Sequence, residues 1–368
     1  MAISAPRNLT MAETSEEKTG PSAKIDVEGL KRFIRARKLG DPAELRADNI
    51  SFGHSNEVHL VRFEDKLWAL RRPPRGPLLP TAHDVIREYR VLAALQDTPV
   101  PVPRVYASCD DVSFIGAPFY LMQYMSGKVI RGGLVPSDEP SFADTPAKRR
   151  AVSIAMIDLL IALQSVDWRK AGLEGFGRPD GYIERQLRRW TDQMGRTIQL
   201  TRPLPVMEKI RDWLTAHMPQ SQAATIVHGD FKLDNVMWEV EGERARVIAL
   251  FDWEMATIGD PLADLGWMLT YWSDPSDTEL HRGVVSSMEW DSGYYRRDEM
   301  SARYEQKSAR PMRDFTFYQV FSLYKLAIIL EGSYSRYLSG QADDPLFATY
   351  DQRVPNIAEV AWSLCQSP

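Results

Sequence analysis

Three residues of this chain, Asp230, Asn235 and Asp252, have types and spacing that could do chemistry together. Asp230 and Asn235 lie in Ile226-Val227-His228-Gly229-Asp230-Phe231-Lys232-Leu233-Asp234-Asn235-Val236-Met237, a polar cluster between two apolar runs. Asp252 ends a second apolar run, in Leu250-Phe251-Asp252-Trp253-Glu254. One reaction uses this set: attack of a hydroxyl on phosphorus. The hydroxyl must be oriented and its proton accepted, which suits the Asp230 carboxylate. A metal ion bridging phosphates needs a neutral oxygen ligand, which suits Asn235. Magnesium takes few carboxylates, with phosphate oxygens and water completing its shell, so Asn235 and Asp252 suffice on the protein side.

The elements around these residues must bring them together. Residues 236–240 and 246–250 flank a Glu241-Gly242-Glu243 turn, and this hairpin would return Asp252 to the side of Asn235. A lone Asp after a strand is usually a turn residue or a helix cap. The weight therefore rests on the conjunction: His228-Gly229-Asp230, then Asn235, a short hairpin, and an apolar strand ending in Asp252-Trp253-Glu254. The H-x-D-x-x-x-x-N spacing is that of a kinase catalytic loop.

Upstream, residues 1–24 are polar and aperiodic and read as a flexible tail. Val27, Leu30, Ile34 and Leu39 suggest a short amphipathic helix ending at Gly40. Residues 58–63 and 67–70 read as a hairpin, residues 85–95 as a helix, and residues 105–109 with 118–122 as a second strand pair. The pattern is a small sheet carrying one main helix, of the α+β kind. After Met125, residues 126–140 read as a Gly/Pro-rich linker. Helical patterns follow at residues 146–165, 185–194, 206–218, 261–272 and 314–337.

Composition narrows the class. The 368 residues include 45 basic and 50 acidic side chains, a net charge of −5. That near balance argues against nucleic acid as a partner. The net charge is +1 up to Met125 and −6 beyond it, and much of the later acidity can be assigned to Asp230, Asp234, Asp252, Glu254, Asp260 and Asp264. No apolar run reaches the length of a bilayer span, so no membrane association is expected. The start of the chain lacks the pattern of a secretory signal. Two distant cysteines, Cys109 and Cys365, fit a reducing compartment, and the expected location is cytoplasmic.

His228–Asn235 together with F-D-W-E-M-A-T-I-G-D-P-L-A-D-L at 251–265 resembles the aminoglycoside phosphotransferase/choline kinase family. Within it, the chain is similar to the phosphotransferase domains fused to some acyl-CoA dehydrogenases and to their free-standing bacterial relatives. G-H-S-N-E-V at 53–58, L-R-R-P-P at 70–74, R-E-Y-R-V-L at 87–92 and G-F-G-R-P-D-G-Y at 175–182 belong to the same likeness. It implies a bilobal protein-kinase-like fold. A small antiparallel-sheet N-lobe with one main helix (25–125) would bind nucleotide. A larger, mostly helical C-lobe (126–368) would carry catalysis and the acceptor. It also implies ATP or GTP as phosphate donor and Mg2+.

Carried over residue by residue, the resemblance puts the loop covering the phosphates at residues 51–56, with backbone N–H groups of Ser55 and Asn56 toward phosphate oxygens. The basic residue that usually ends the third strand is Arg71 here instead of Lys, with Arg72 as a competitor and Glu88 as the partner carboxylate. Arg can clamp phosphate oxygens in a bidentate fashion. Backbone groups of Gln123 and Met125 would meet the base. Lys232 would neutralise charge on the transferred group, and a plain solvent-facing lysine is an equal alternative. Asp234, Asp260 and Asp264 would hold loops.

The expected function is a small-molecule O-phosphotransferase acting on an acceptor hydroxyl. A helical face of Arg185, Arg188 and Arg189 and the dehydrogenase-fused likeness favour a hydroxy acid or hydroxyacyl-CoA acceptor. An aminoglycoside-type antibiotic phosphotransferase and a regulatory nucleotide-binding pseudokinase are the alternatives.

Overall fold

Alternation along the first long strands divides the N-terminal region into two faces. The computed structural model describes residues 25–50, 56–74, 84–131, 141–282 and 293–366, so the tail at 1–24 lies outside the described residues. The first helix, α1 (Val27–Ala36), is capped by Asp26, whose carboxylate accepts the Gly29 N–H at 2.8 Å. Strands β1 (Arg46–Asn49), β2 (Glu57–Phe63), β3 (Lys66–Arg72), β4 (Val105–Cys109) and β5 (Phe119–Gln123) form one antiparallel sheet in the order β1-β2-β3-β5-β4. Trp68 and Leu70 of β3, with Val61, Phe63, Phe119 and Leu121, pack on Leu30, Phe33 and Ile34 of α1. The alternate residues Ala69, Tyr120 and Met122 face α2 (Val85–Leu95) and the rest of the molecule. Successive strand side chains point to opposite faces, so this division follows from the sequence pattern.

The C-terminal region is mostly helical. A short strand β6 (Lys128–Val129) leads to α3 (Pro146–Ser165), α4 (Tyr182–Thr197) and α5 (Pro205–Ala216). Strand β7 (Thr225–Val227) enters the polar cluster, and a single 3-10 turn at Leu233–Asn235 leaves it. Strands β8 (Val236–Glu241) and β9 (Arg244–Leu250) form the expected hairpin, with Val236 opposite Leu250. A second 3-10 turn (Trp253–Met255) and β10 (Thr257–Gly259), which pairs with β7, complete the loop region. Helices α6 (Leu262–Thr270), α7 (Arg297–Ser308), α8 (Phe315–Leu338), α9 (Pro345–Ala348) and α10 (Tyr350–Gln366) follow. The long α8 is packed against α4, α6 and α10 and is buried along most of its length. Among the described residues, no helix is long and apolar enough to cross a membrane. The architecture is the expected α+β, protein-kinase-like one, with an antiparallel sheet region followed by a helical region. Strands β1, β6 and β10 and helices α7, α9 and α10 were not expected from pattern.

The two regions are tied at fixed points. Arg87 of α2 lies over the Phe176 ring at 3.7 Å and donates to the Ala256 carbonyl at 3.0 Å. Leu250 N–H donates to the Pro101 carbonyl at 2.9 Å. These contacts fix α2 over the turn that follows Asp252.

Candidate active site

Strand alternation separates the two candidate arginines. Arg71 shares the face of Ala69 and points toward α2. Its Nε lies 2.8 Å from Glu88 Oε2, and its Nη2 donates to Asp252 Oδ1 at 2.8 Å. Arg72 points to the opposite face, where it is buried and bonded to Glu57. Glu88 is buried on α2, with Trp253 N–H donating to its Oε1 at 3.3 Å and the Tyr120 hydroxyl beside it. Burial raises the Glu88 carboxyl above its ordinary range although Arg71 opposes the shift. Burial disfavours the Arg71 charge, but Glu88, Tyr120, Asp252 and Glu254 together outweigh it and the guanidinium is held more firmly protonated than usual.

The loop His228–Asp230 is gripped from three sides. Asp264 on α6 accepts His228 N–H at 2.6 Å and Gly229 N–H at 2.8 Å. Asp230 N–H donates to His228 Nδ1 at 3.2 Å, which puts the ring proton on Nε2, facing the Phe251 carbonyl at 2.8 Å. Gly229 has φ +84°, and a Cβ there would lie 2.7 Å from the Met255 carbonyl oxygen, so only glycine fits this turn.

Each Asp230 oxygen has a donor. Trp267 Nε1 donates to Oδ1 at 2.8 Å. Asn235 Nδ2 donates to Oδ2 at 2.9 Å, and Lys232 Nζ lies 3.0 Å from the same oxygen. Burial would raise the Asp230 carboxyl, but Lys232, Lys325 and the Asn235 hydrogen bond pull it below the usual range. Lys232 is paired and partly covered, so it is not the solvent-facing loop lysine of the alternative reading. Burial opposes its charge, but Asp230, Tyr271 and Asp234 together outweigh it and raise its pKa.

The hairpin returns the chain as the spacing predicts. Phe251 N–H donates to the Asn235 carbonyl at 2.9 Å, which sets Asp252 next to Asn235. Asp252 takes φ +65°, a left-handed conformation that Asp tolerates better than most residues. Its neighbour Glu254 sits at the rim. Although Glu254 is exposed overall, desolvation of its carboxyl and then repulsion from Asp252 push it up to about 7. A magnesium ion fits this donor set. The Asn235 amide nitrogen is committed to Asp230, which leaves Oδ1 as a ligand atom, and Asp252 has Oδ2 beside its Arg71-bound oxygen. Among the described residues no group of three or more His, Cys, Asp or Glu could hold a metal alone.

The nucleotide-side residues are placed unevenly. Ser55 lies outside the described residues, and Asn56 is buried immediately before β2. Gln123 N–H donates to the Arg104 carbonyl at 2.7 Å, so of its two backbone groups the carbonyl is the one that could meet a base. Met125 follows β5 with its backbone groups unbonded among the described residues. The Arg185/Arg188/Arg189 face also changes. Arg185 folds back onto the Asp180 and Arg178 carbonyls, while Arg188 and Arg189 remain exposed.

Two contributors escaped the reading of the sequence. Trp267 stands three residues after Asp264, one helical turn further on α6, and that spacing is the signal that could have found it. Lys325 comes from α8, 95 residues beyond Asp230. Its only trace in sequence is a single cation inside the apolar run Phe321–Leu330.

A phosphotransferase enzyme family model matches residues 47–299. The chain belongs to the phosphotransferase enzyme family. It is 36% identical over 334 residues to mouse acyl-CoA dehydrogenase family member 10, covering 90% of this chain and 30% of that protein. It is 32% identical over 328 residues to rat acyl-CoA dehydrogenase family member 11, covering 87% of this chain and 41% of that protein. The chain thus spans well under half of these curated relatives. A crystal structure of a Ralstonia eutropha JMP134 protein, assigned only provisionally as an aminoglycoside phosphotransferase, superposes with a TM-score of 0.78 at 32% identity. That match covers 93% of this chain and 99% of the other. The family resemblance read from His228–Asn235 and residues 251–265 is therefore correct.

Proposed function

We propose that this member of the family transfers the γ-phosphoryl group of ATP or GTP to the hydroxyl of a small-molecule acceptor, with a hydroxy acid or hydroxyacyl-CoA as the preferred class. The observation that carries the reading is the Asp230 carboxylate, held by Trp267, Asn235 and Lys232 beside the Asn235–Asp252 pair. The lowered pKa keeps Asp230 ionised at neutral pH. It accepts a hydrogen bond from the acceptor hydroxyl and takes its proton as the oxygen attacks phosphorus. Lys232 offsets charge on the transferred group. Arg71, oriented by Glu88, contacts the donor phosphates, and Asn56, Gln123 and Met125 serve the nucleotide side. Magnesium held by Asn235 and Asp252 would neutralise the triphosphate. Because the transition state is loose, positioning and electrostatics supply most of the acceleration.

The charge around Asp230 supports an anionic acceptor. Lys232 and Lys325 flank it, and Arg189 acts electrostatically on Lys325. A polycationic antibiotic would meet Lys232, the partly exposed one of the two flanking lysines, with repulsion. The names of the acyl-CoA dehydrogenase relatives point the same way, while the provisional name of the Ralstonia protein favours the antibiotic reading. A turnover screen with Mg–ATP against hydroxyacyl-CoAs, free hydroxy acids and aminoglycosides tests the choice. Phosphorylation of hydroxyacyl-CoAs or hydroxy acids is the expected result, and phosphorylation of aminoglycosides alone would overturn the acceptor class. No magnesium-dependent loss of the γ-phosphate under any condition would overturn the phosphotransferase reading and favour a nucleotide-binding regulator.

A further inference from the structure

Lys325 is the buried cation that this mechanism leaves without a task. It stands on α8, in the middle of an otherwise apolar stretch, with its side chain almost fully removed from water. Burying an ammonium is costly unless it is paired or hydrogen-bonded. Its surroundings answer that cost in a specific way. Nζ donates to the Gly229 carbonyl at 2.7 Å and sits over the face of Trp267, 3.8 Å from the ring centroid. Asp230 and Asp264 both favour its charge, although burial brings its pKa down to about 8.

Both contacts lead to the same side chain. The Gly229 carbonyl belongs to the peptide that joins Gly229 to Asp230. The N–H of Gly229 is bonded to Asp264, so Lys325 completes the grip on that glycine from the other side. Trp267, under the ammonium, donates its indole N–H to Asp230 Oδ1 at 2.8 Å. A cation over an indole face withdraws electron density from the ring. That makes the indole N–H a stronger donor.

We propose that Lys325 is a positioning residue that aims the Asp230 carboxylate through the Gly229 peptide and the Trp267 indole. The proposal rests on the phosphotransferase reading, with Asp230 as its base. A displacement of about 1 Å at a reacting group can cost on the order of 10²-fold in rate. Lys325 does not touch the residues assigned to the nucleotide, so its loss acts on turnover and not on nucleotide affinity.

The test compares K325M, K325Q, K325R, W267F and K325M/W267F in the full chain. Magnesium-dependent γ-phosphate release is measured with the best acceptor from the screen, or with water if none is found. Binding of Mg–AMP-PNP is measured by calorimetry and folding by thermal melting. We expect K325M and K325Q to fold, to keep nucleotide affinity within about twofold, and to lose about 10²-fold in kcat. K325R, which keeps a donor and the charge, should recover at least tenfold of that loss. The double variant should be no worse than about threefold below the poorer single variant, because both singles interrupt one support. Wild-type kcat in K325M, a parallel loss of nucleotide affinity, independent additive losses, or unfolding of both neutral variants would each overturn the proposal. Absence of wild-type turnover would instead refute the underlying reading.

Discussion

Replacing Arg71 by Met should separate the cost of a buried charge from the cost of lost chemistry. Arg71 lies between Glu88 and Asp252, 2.8 Å from each. Glu88 is 2% exposed and Asp252 27%, so the two pairs differ in worth. Stranding one partner of a buried pair costs about 3–5 kcal/mol. A partly exposed pair contributes about 1 kcal/mol or less. The Glu88 side therefore dominates, and R71M should lose about 3 kcal/mol at neutral pH. With about 2 °C per kcal/mol for a chain of this size, the melting point should fall by about 6 °C.

The sign of the pH dependence follows from Glu88. Its folded-state pKa is already raised by burial, and loss of Arg71 removes the charge that opposes this shift. The folded variant then binds the proton more tightly than the unfolded chain, so its stability relative to wild type rises as pH falls. The penalty should be full above the raised folded-state pKa. It should vanish below the unfolded carboxyl value of about 4.3. Adding E88Q removes the stranded charge while keeping an acceptor for Trp253 N–H. The double variant should regain about 2 kcal/mol, because a neutral replacement of a buried pair is well tolerated. Neither variant should regain nucleotide turnover. Thermal melts of wild type, R71M, E88Q and R71M/E88Q between pH 5 and 8 provide the assay. A double variant as unstable as R71M, or a penalty that grows toward acid, would refute the buried-charge argument.

D230N should lower turnover by about 10³-fold while Mg–AMP-PNP binding stays within threefold, since the amide cannot take a proton; retained turnover in a kinetic assay would exclude Asp230 as base. D252A should weaken magnesium-dependent nucleotide binding at least tenfold, and calorimetry that finds unchanged affinity would remove Asp252 from the metal site. G229A places a methyl group 2.7 Å from the Met255 carbonyl at φ +84°. It should cost about 1–3 kcal/mol and reduce kcat, read by melting and by initial rates; a stable, fully active variant would show that the loop relaxes freely.

Local order was enough to find much of this site. The pairing of β8 with β9 follows from two apolar strands around Glu241-Gly242-Glu243, and it alone brings Asn235 and Asp252 together. The positions of Asp230, Lys232 and Asn235 also lie within one short loop, where spacing carries geometry. The choice between Arg71 and Arg72 was legible in principle, because period-two alternation already assigns Ala69 and Arg71 to one face. What the sequence could not supply is the set of contacts made across long separations. Glu88 meets Arg71 only when α2 packs on the sheet and Arg87 ties that helix to residues 176 and 256. Trp267 reaches Asp230 only after α6 is set against the loop by Asp264. Lys325 reaches Gly229 from 96 residues away, because α8 runs beneath the loop. A side chain's chemistry is written in its type. Whether a lone lysine in an apolar helix meets lipid, solvent or a backbone carbonyl is decided by which helix lies beside it, and only the packed tertiary structure contains that information.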